Sequence, residues 1–141
     1  MTRPLDEIRR EFWQAAQGAP GLEGLRTYMD TNAFVPMNAD GTVILAFGIQ
    51  QDGSSVFLRG TVNVGRDTAG PVLAPHAAAL AKALSAPYEA EGDEGQGRYL
   101  RKRSKATFTL KSQWPEIRRW FGACRMRYAQ EIDRVLKGGE T

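Results

Sequence analysis

Residues 112–139, SQWPEIRRWFGACRMRYAQEIDRVLKGG, carry Ile117, Trp120, Phe121, Cys124, Tyr128, Ile132 and Val135 at steps of three and four. That is the period of an amphipathic helix, and no strand could present those side chains on one face. Pro115 stands where a first-turn proline belongs, since its missing N–H would have no helical partner there, and Gly138 and Gly139 end the pattern. A helix this long with an aromatic stripe needs a broad apolar surface to cover, which the rest of the chain must supply.

Upstream the period changes. RPLDEIRREFWQAAQG places Leu5, Ile8, Phe12 and Ala15 or Ala16 on one helical face, between Pro4 and Gly18. APGLEGLRTYMDTN continues with Leu22, Leu25, Tyr28 and Met29 at helical spacing, which predicts a second, shorter helix, followed by a loop at VPMNADG. TVILAFGI is apolar on both faces and reads as a central strand. SVFLRGTVNV alternates with period two, and the turn residues QQDGS between them predict an antiparallel hairpin. An Ala-rich helix then runs from near Val72 and stops before Pro87. YEAEGDEGQGRYLRKRSKATFTLK reads as two extended pieces joined by an acidic, Gly-rich turn, with TFTL of clear β-propensity. The order ααββαββα predicts an α+β fold: a single domain over residues 1–141, with an antiparallel sheet of about four strands and helices mainly on one face.

With 141 residues, 42% apolar and 25% charged, the chain can bury about two-thirds of its unfolded surface without metals or disulfides. No stretch approaches the roughly 18 apolar residues of a membrane span, and MTRPLDEIRREFW lacks the apolar block of a signal peptide, so a cytoplasmic location and no membrane partner are expected. The single cysteine, Cys124, falls in the apolar stripe and reads as a core residue.

The catalytic repertoire is thin. The single histidine, His76, excludes a two-His metal site, and no nucleophile signature surrounds it. NVGRDTAG lacks the Gly-Lys-Ser/Thr ending of a phosphate loop and the third glycine of a dinucleotide loop. Asp67 in that loop, and Asp6, Glu7 and Glu11 in the first helix, look like favourable first-turn charges rather than metal ligands. EAEGDEG gathers Glu89, Glu91, Asp93 and Glu94 without the spacing of a calcium loop and reads as a solvated turn. We expect no catalytic, metal-binding or cofactor-binding residues.

Charge is distributed unevenly. Residues 1–97 hold seven Lys/Arg and twelve Asp/Glu, residues 98–141 twelve and four, so the first part is net −5 and the last net +8. The excess concentrates in YLRKRSKATFTLK, residues 99–111, which has five basic side chains and no acid. As a strand it would set Arg101, Arg103, Lys105, Thr107, Thr109 and Lys111 on one face, with Leu100, Ala106, Phe108 and Leu110 opposite. Arg118 and Arg119 would extend the patch. Glu89 and Glu91, in the strand expected to pair with it, would offset part of the charge. Arg101, Arg103, Lys105, Lys111, Arg118 and Arg119 are therefore the candidate polyanion-binding residues, for nucleic acid or an acidic protein surface. The alternative is a protein-interaction or homo-oligomerisation module without nucleic-acid contact.

EFWQAA near the start, a two-strand hairpin, a short helix, a polar hairpin ending in ATFTL, and QWPEIRRWF leading a long helix together resemble a family of bacterial domains of unknown function, found alone or attached behind nuclease-like domains. The resemblance rests on Trp13, Trp114, Trp120 and the element order. It implies a non-catalytic accessory domain of defence or DNA-processing systems.

Overall fold

The computed structural model describes residues 5–28, 32–37, 42–60, 69–86, 88 and 99–138. The elements run α1 (Leu5–Ala16), β1 (Arg26–Tyr28), β2 (Asn32–Pro36), β3 (Ile44–Gln50), β4 (Gly53–Arg59), α2 (Ala69–Leu73), a 3-10 turn (Ala74–His76), α3 (Ala77–Leu84), β5 (Tyr99–Ser104), a second 3-10 turn (Lys111–Gln113) and α4 (Trp114–Gly138). The strands form one antiparallel sheet in the order β1-β2-β3-β4-β5. The fold is α+β, as expected, with five strands among the described residues rather than about four.

β3 lies at the centre, and both of its faces are buried from Ile44 to Ile49. Its pairing with β4 sets Leu45 beside Leu58 and Phe47 beside Val56, while β2 brings Ala33 and Val35 to the same face. Phe12 of α1, Leu80 and Leu84 of α3, and Ile117, Phe121, Tyr128 and Ile132 of α4 join that face in one core. Burying each large apolar side chain contributes about 1.5–3 kcal/mol relative to leaving it in water. The aromatic rings interlock: Phe121 stacks on Trp13 with centroids 5.7 Å apart, and Phe12 meets Trp114 edge-on at 5.4 Å.

Three sequence expectations upstream of β5 need correction. The predicted second helix beginning at Pro20 is not formed over the described residues 20–28. Leu22 N–H donates to Ala19 O and Leu25 N–H to Leu22 O, so the three-residue spacing that mimics a helix belongs to consecutive tight turns that bury both leucines. Arg26–Tyr28 then pairs with Asn32–Pro36, and strand partners win over weak local helix propensity. The predicted loop at VPMNADG consequently begins two residues late, because Val35 and Pro36 close β2. Finally, the Ala-rich helix begins earlier, at Ala69, and is interrupted by the 3-10 turn at Pro75, whose ring supplies no N–H to continue the ladder.

Candidate polyanion-binding site

β5 is short for a physical reason. TFTL, predicted extended, instead turns: Thr109 N–H donates to Thr107 Oγ1 (3.2 Å), Thr107 N–H to Gln113 Oε1 (2.7 Å), and Trp114 Nε1–H to Phe108 O (2.7 Å). Side chains thus take the backbone groups that a ladder would have used. The turn is fastened to the β3–β4 connection by Thr107 Oγ1–H donating to Gln50 O (3.2 Å) and by buried Ser54 Oγ–H donating to Ala106 O (2.8 Å). Arg9 reaches from α1 to the same corner, with its guanidinium 4.9 Å from the Phe108 ring centre.

β5 pairs with β4 through Arg103 opposite Ser55 and Lys102 opposite Val56, but Tyr99 stands opposite Leu58, so β5 holds one extra residue there. At this bulge Leu100 takes a left-handed backbone (φ 53°), an uncommon conformation for a non-glycine residue. Its side chain is buried, and its carbonyl accepts from Tyr128 Oη at 2.6 Å. The bulge turns Tyr99 and Leu100 into the core, while Arg101 and Arg103 stay on the opposite face, as the alternation predicted.

The result is a groove of about 510 Å³ at the end of the β3–β4 hairpin, lined by Gln50, Asp52, Gly53 and Ser54 on one side and Arg101, Arg103, Ser104 and Lys105 on the other. Three of the six predicted residues therefore converge. Arg103 and Lys105 are exposed, and neither side chain makes an ion pair or hydrogen bond with any described residue. Lys111 and Arg118 instead line a separate cleft of about 600 Å³ with Glu11, Gln14 and Trp114, where Lys111 Nζ sits 5.4 Å from the Trp114 ring centre. Glu11 offsets their charge there. Arg119 is exposed on α4 and lines neither cleft. Glu89 and Glu91, expected opposite the basic strand, lie outside the described residues, as do Asp67 and the acidic turn.

The sequence reading missed Gln50, Asp52 and Ser54 as site residues. They belong to another hairpin and come to the groove only through β4–β5 pairing; QQDGS signalled a turn and nothing more. His76 is half-buried, ends the first 3-10 turn and lines neither cleft. Among the described residues no group of three or more His, Cys, Asp and Glu is placed to hold a metal ion, and no helix is long and apolar enough to cross a membrane.

Cys124 is buried as the stripe implied, and burial pushes its thiol up from 9.0 to about 11, with the Lys102 cation pulling the other way. In the unfolded chain the thiol ionises near its ordinary value. Between the two values the unfolded state therefore binds fewer protons than the folded state, and stability falls as pH rises. Two units correspond to at most about 3 kcal/mol, less whatever solvent screening removes. Urea unfolding from about pH 8 to about pH 11 should show stability declining in the native chain, and Cys124→Ala should flatten the profile. Tyr128, whose hydroxyl burial also raises above the usual tyrosine range, adds a further loss at still higher pH.

Compared with protein-family models, with curated proteins and with solved structures, the chain matches none of them.

Proposed function

We propose that this chain is a non-catalytic binding domain whose basic C-terminal third holds the phosphate backbone of nucleic acid, with Arg101, Arg103 and Lys105 as the principal contacts. The observation that carries the reading is their convergence in one groove, with Arg103 and Lys105 engaged by no described residue and Asp52 the one carboxylate among the described residues of its lining. The Arg103 guanidinium and the Lys105 ammonium, engaged by no described residue, are ready donors to phosphate oxygens. The large apolar residues exposed among the described ones are Leu110 and Met126, neither aromatic, so base stacking contributes little and the reading is one of backbone contact without sequence preference. The proposed role is that of an accessory binding domain acting in the cytoplasm, the kind of domain that the resemblance built on Trp13, Trp114 and Trp120 implies.

Titration with single-stranded DNA and RNA at two salt concentrations tests it. Three phosphate contacts give a slope of about −2 in log affinity against log salt, and Arg103→Ala with Lys105→Ala reduces it to about −0.7. Absence of binding at low salt would remove the reading. A polyglutamate peptide titrated in parallel distinguishes an acidic protein surface, which would bind it as tightly as the oligonucleotides. An oligomerisation module built on β5 would set Arg101, Lys102 and Arg103 of two copies against one another, a like-charge arrangement that destabilises strand pairing. Light scattering that finds a dimer broken by charge reversal on β5 would favour that module instead.

A further inference from the structure

Asp52 is out of place in a site for anions. A carboxylate beside three cations repels phosphate unless it either neutralises the cations or receives a hydrogen bond from the ligand. It does not neutralise them: Asp52 is exposed, lines the same groove, and makes no ion pair or hydrogen bond with Arg103, Lys105 or any other described residue. The groove thus offers two chemistries side by side, cations seeking oxyanions and an acceptor seeking a hydroxyl. Its volume of about 510 Å³ is that of a small-molecule cleft, which admits a segment of one flexible strand rather than the broad convex face of a duplex. Ribose supplies the matching pair, because its 2′-hydroxyl is a donor adjacent to the 3′-phosphate, and deoxyribose lacks it.

We infer that the groove selects single-stranded RNA over single-stranded DNA, with Asp52 accepting a hydrogen bond from a ribose 2′-hydroxyl while Arg103 and Lys105 hold the neighbouring phosphate. This rests on the polyanion reading of the same groove. A carboxylate on a ribose hydroxyl is an established pairing in nucleotide sites. The competing account of Asp52 is local: Gln51 and Asp52 form the two-residue connection between Gln50 of β3 and Gly53 of β4, and Asp is a favoured turn residue. Asn serves in turns as Asp does, so Asp52→Asn separates the two accounts without unsettling the hairpin.

The probes are oligonucleotides of about 12 nucleotides in one sequence of A, C and G, made as RNA, as DNA and as 2′-O-methyl RNA, which keeps the ribose shape but has no hydroxyl donor. RNA should bind about fivefold tighter than DNA, 2′-O-methyl RNA should behave as DNA does, and Asp52→Asn should cut the preference to about twofold or less. Equal binding of RNA and DNA, with both still weakened by Arg103→Ala and Lys105→Ala, would overturn the selection and leave the groove reading standing. A 2′-O-methyl strand that binds like RNA, or a preference unchanged in Asp52→Asn, would also overturn it. If no oligonucleotide binds at low salt, both readings fall.

Discussion

Replacing Phe121 by alanine should cost about 3–5 kcal/mol and lower the melting temperature by more than about 10 °C. Phe121 has no exposed surface and touches four rings: Trp13 stacked at 5.7 Å, Phe12 at 6.3 Å, Phe47 at 5.0 Å and Trp120 at 5.7 Å. These rings come from α1, β3 and α4, so the side chain is where the first helix, the central strand and the last helix meet. Truncation removes the apolar burial, leaves a cavity that rigid aromatic neighbours cannot collapse to fill, and removes edge and stacking contacts worth about 0.5–1.5 kcal/mol each before any non-additivity. Met126 provides the internal control, because it lies on the same helix at 61% exposed, and Met126→Ala should stay within about 0.5 kcal/mol of the native chain. Denaturant unfolding of both variants decides the matter. A Phe121→Ala cost near that of Met126→Ala would mean that α4 does not seat its aromatic stripe on the sheet.

That stripe was legible in the sequence because a long helix repeats its signal. Ile117, Phe121, Cys124, Tyr128, Ile132 and Val135 are all buried, as their spacing implied, and only Trp120 is held half-exposed. β3 was legible for the opposite reason: an apolar run on both faces can be accommodated only where neighbours flank it on each side. Short segments carried no such redundancy. Leu22 and Leu25 satisfy a helical spacing and a chain of tight turns equally well, and the choice was made by the distant pairing of β1 with β2. Thr107 and Thr109 favour strands as β-branched residues, yet they close a turn once Gln50 O accepts from the Thr107 hydroxyl and Gln113 Oε1 from the Thr107 N–H.

The candidate site divides along the same line. Alternation within one strand placed Arg101 and Arg103 on the outer face correctly, and Lys105 joins them although it lies past the end of β5. The extension to Lys111, Arg118 and Arg119 was additive reasoning along the chain, and the turn at residues 105–110 sends those side chains elsewhere. Asp52 and Gln50, about fifty residues upstream, enter the groove through tertiary pairing that no local pattern announces.

The junction of those two segments depends on Gly53, and Gly53→Ala should destabilise the chain by about 3 kcal/mol while abolishing the groove. Two costs combine there. The backbone of Gly53 lies at φ +153°, a region that residues with a side chain rarely adopt, and a Cβ would stand 2.3 Å from Ser104 O of β5, far inside contact distance. Because the obstacle is backbone rather than the end of a flexible side chain, relief requires β5 to move off β4, and Arg103 and Lys105 move with it. Gly24→Ala isolates the first cost: Gly24 also has a positive φ, +79°, but nothing lies within 4 Å of its added Cβ, so only the conformational penalty of about 1 kcal/mol remains. Denaturant unfolding should therefore rank Gly53→Ala well below Gly24→Ala in stability. Hydrogen exchange should show why, with the amides of Tyr99–Ser104 losing protection in Gly53→Ala while those of α4 keep it. Equal costs for the two variants would mean that β5 is not held against the hairpin turn, and the convergence of Asp52 with Arg101, Arg103 and Lys105 would lose its structural basis.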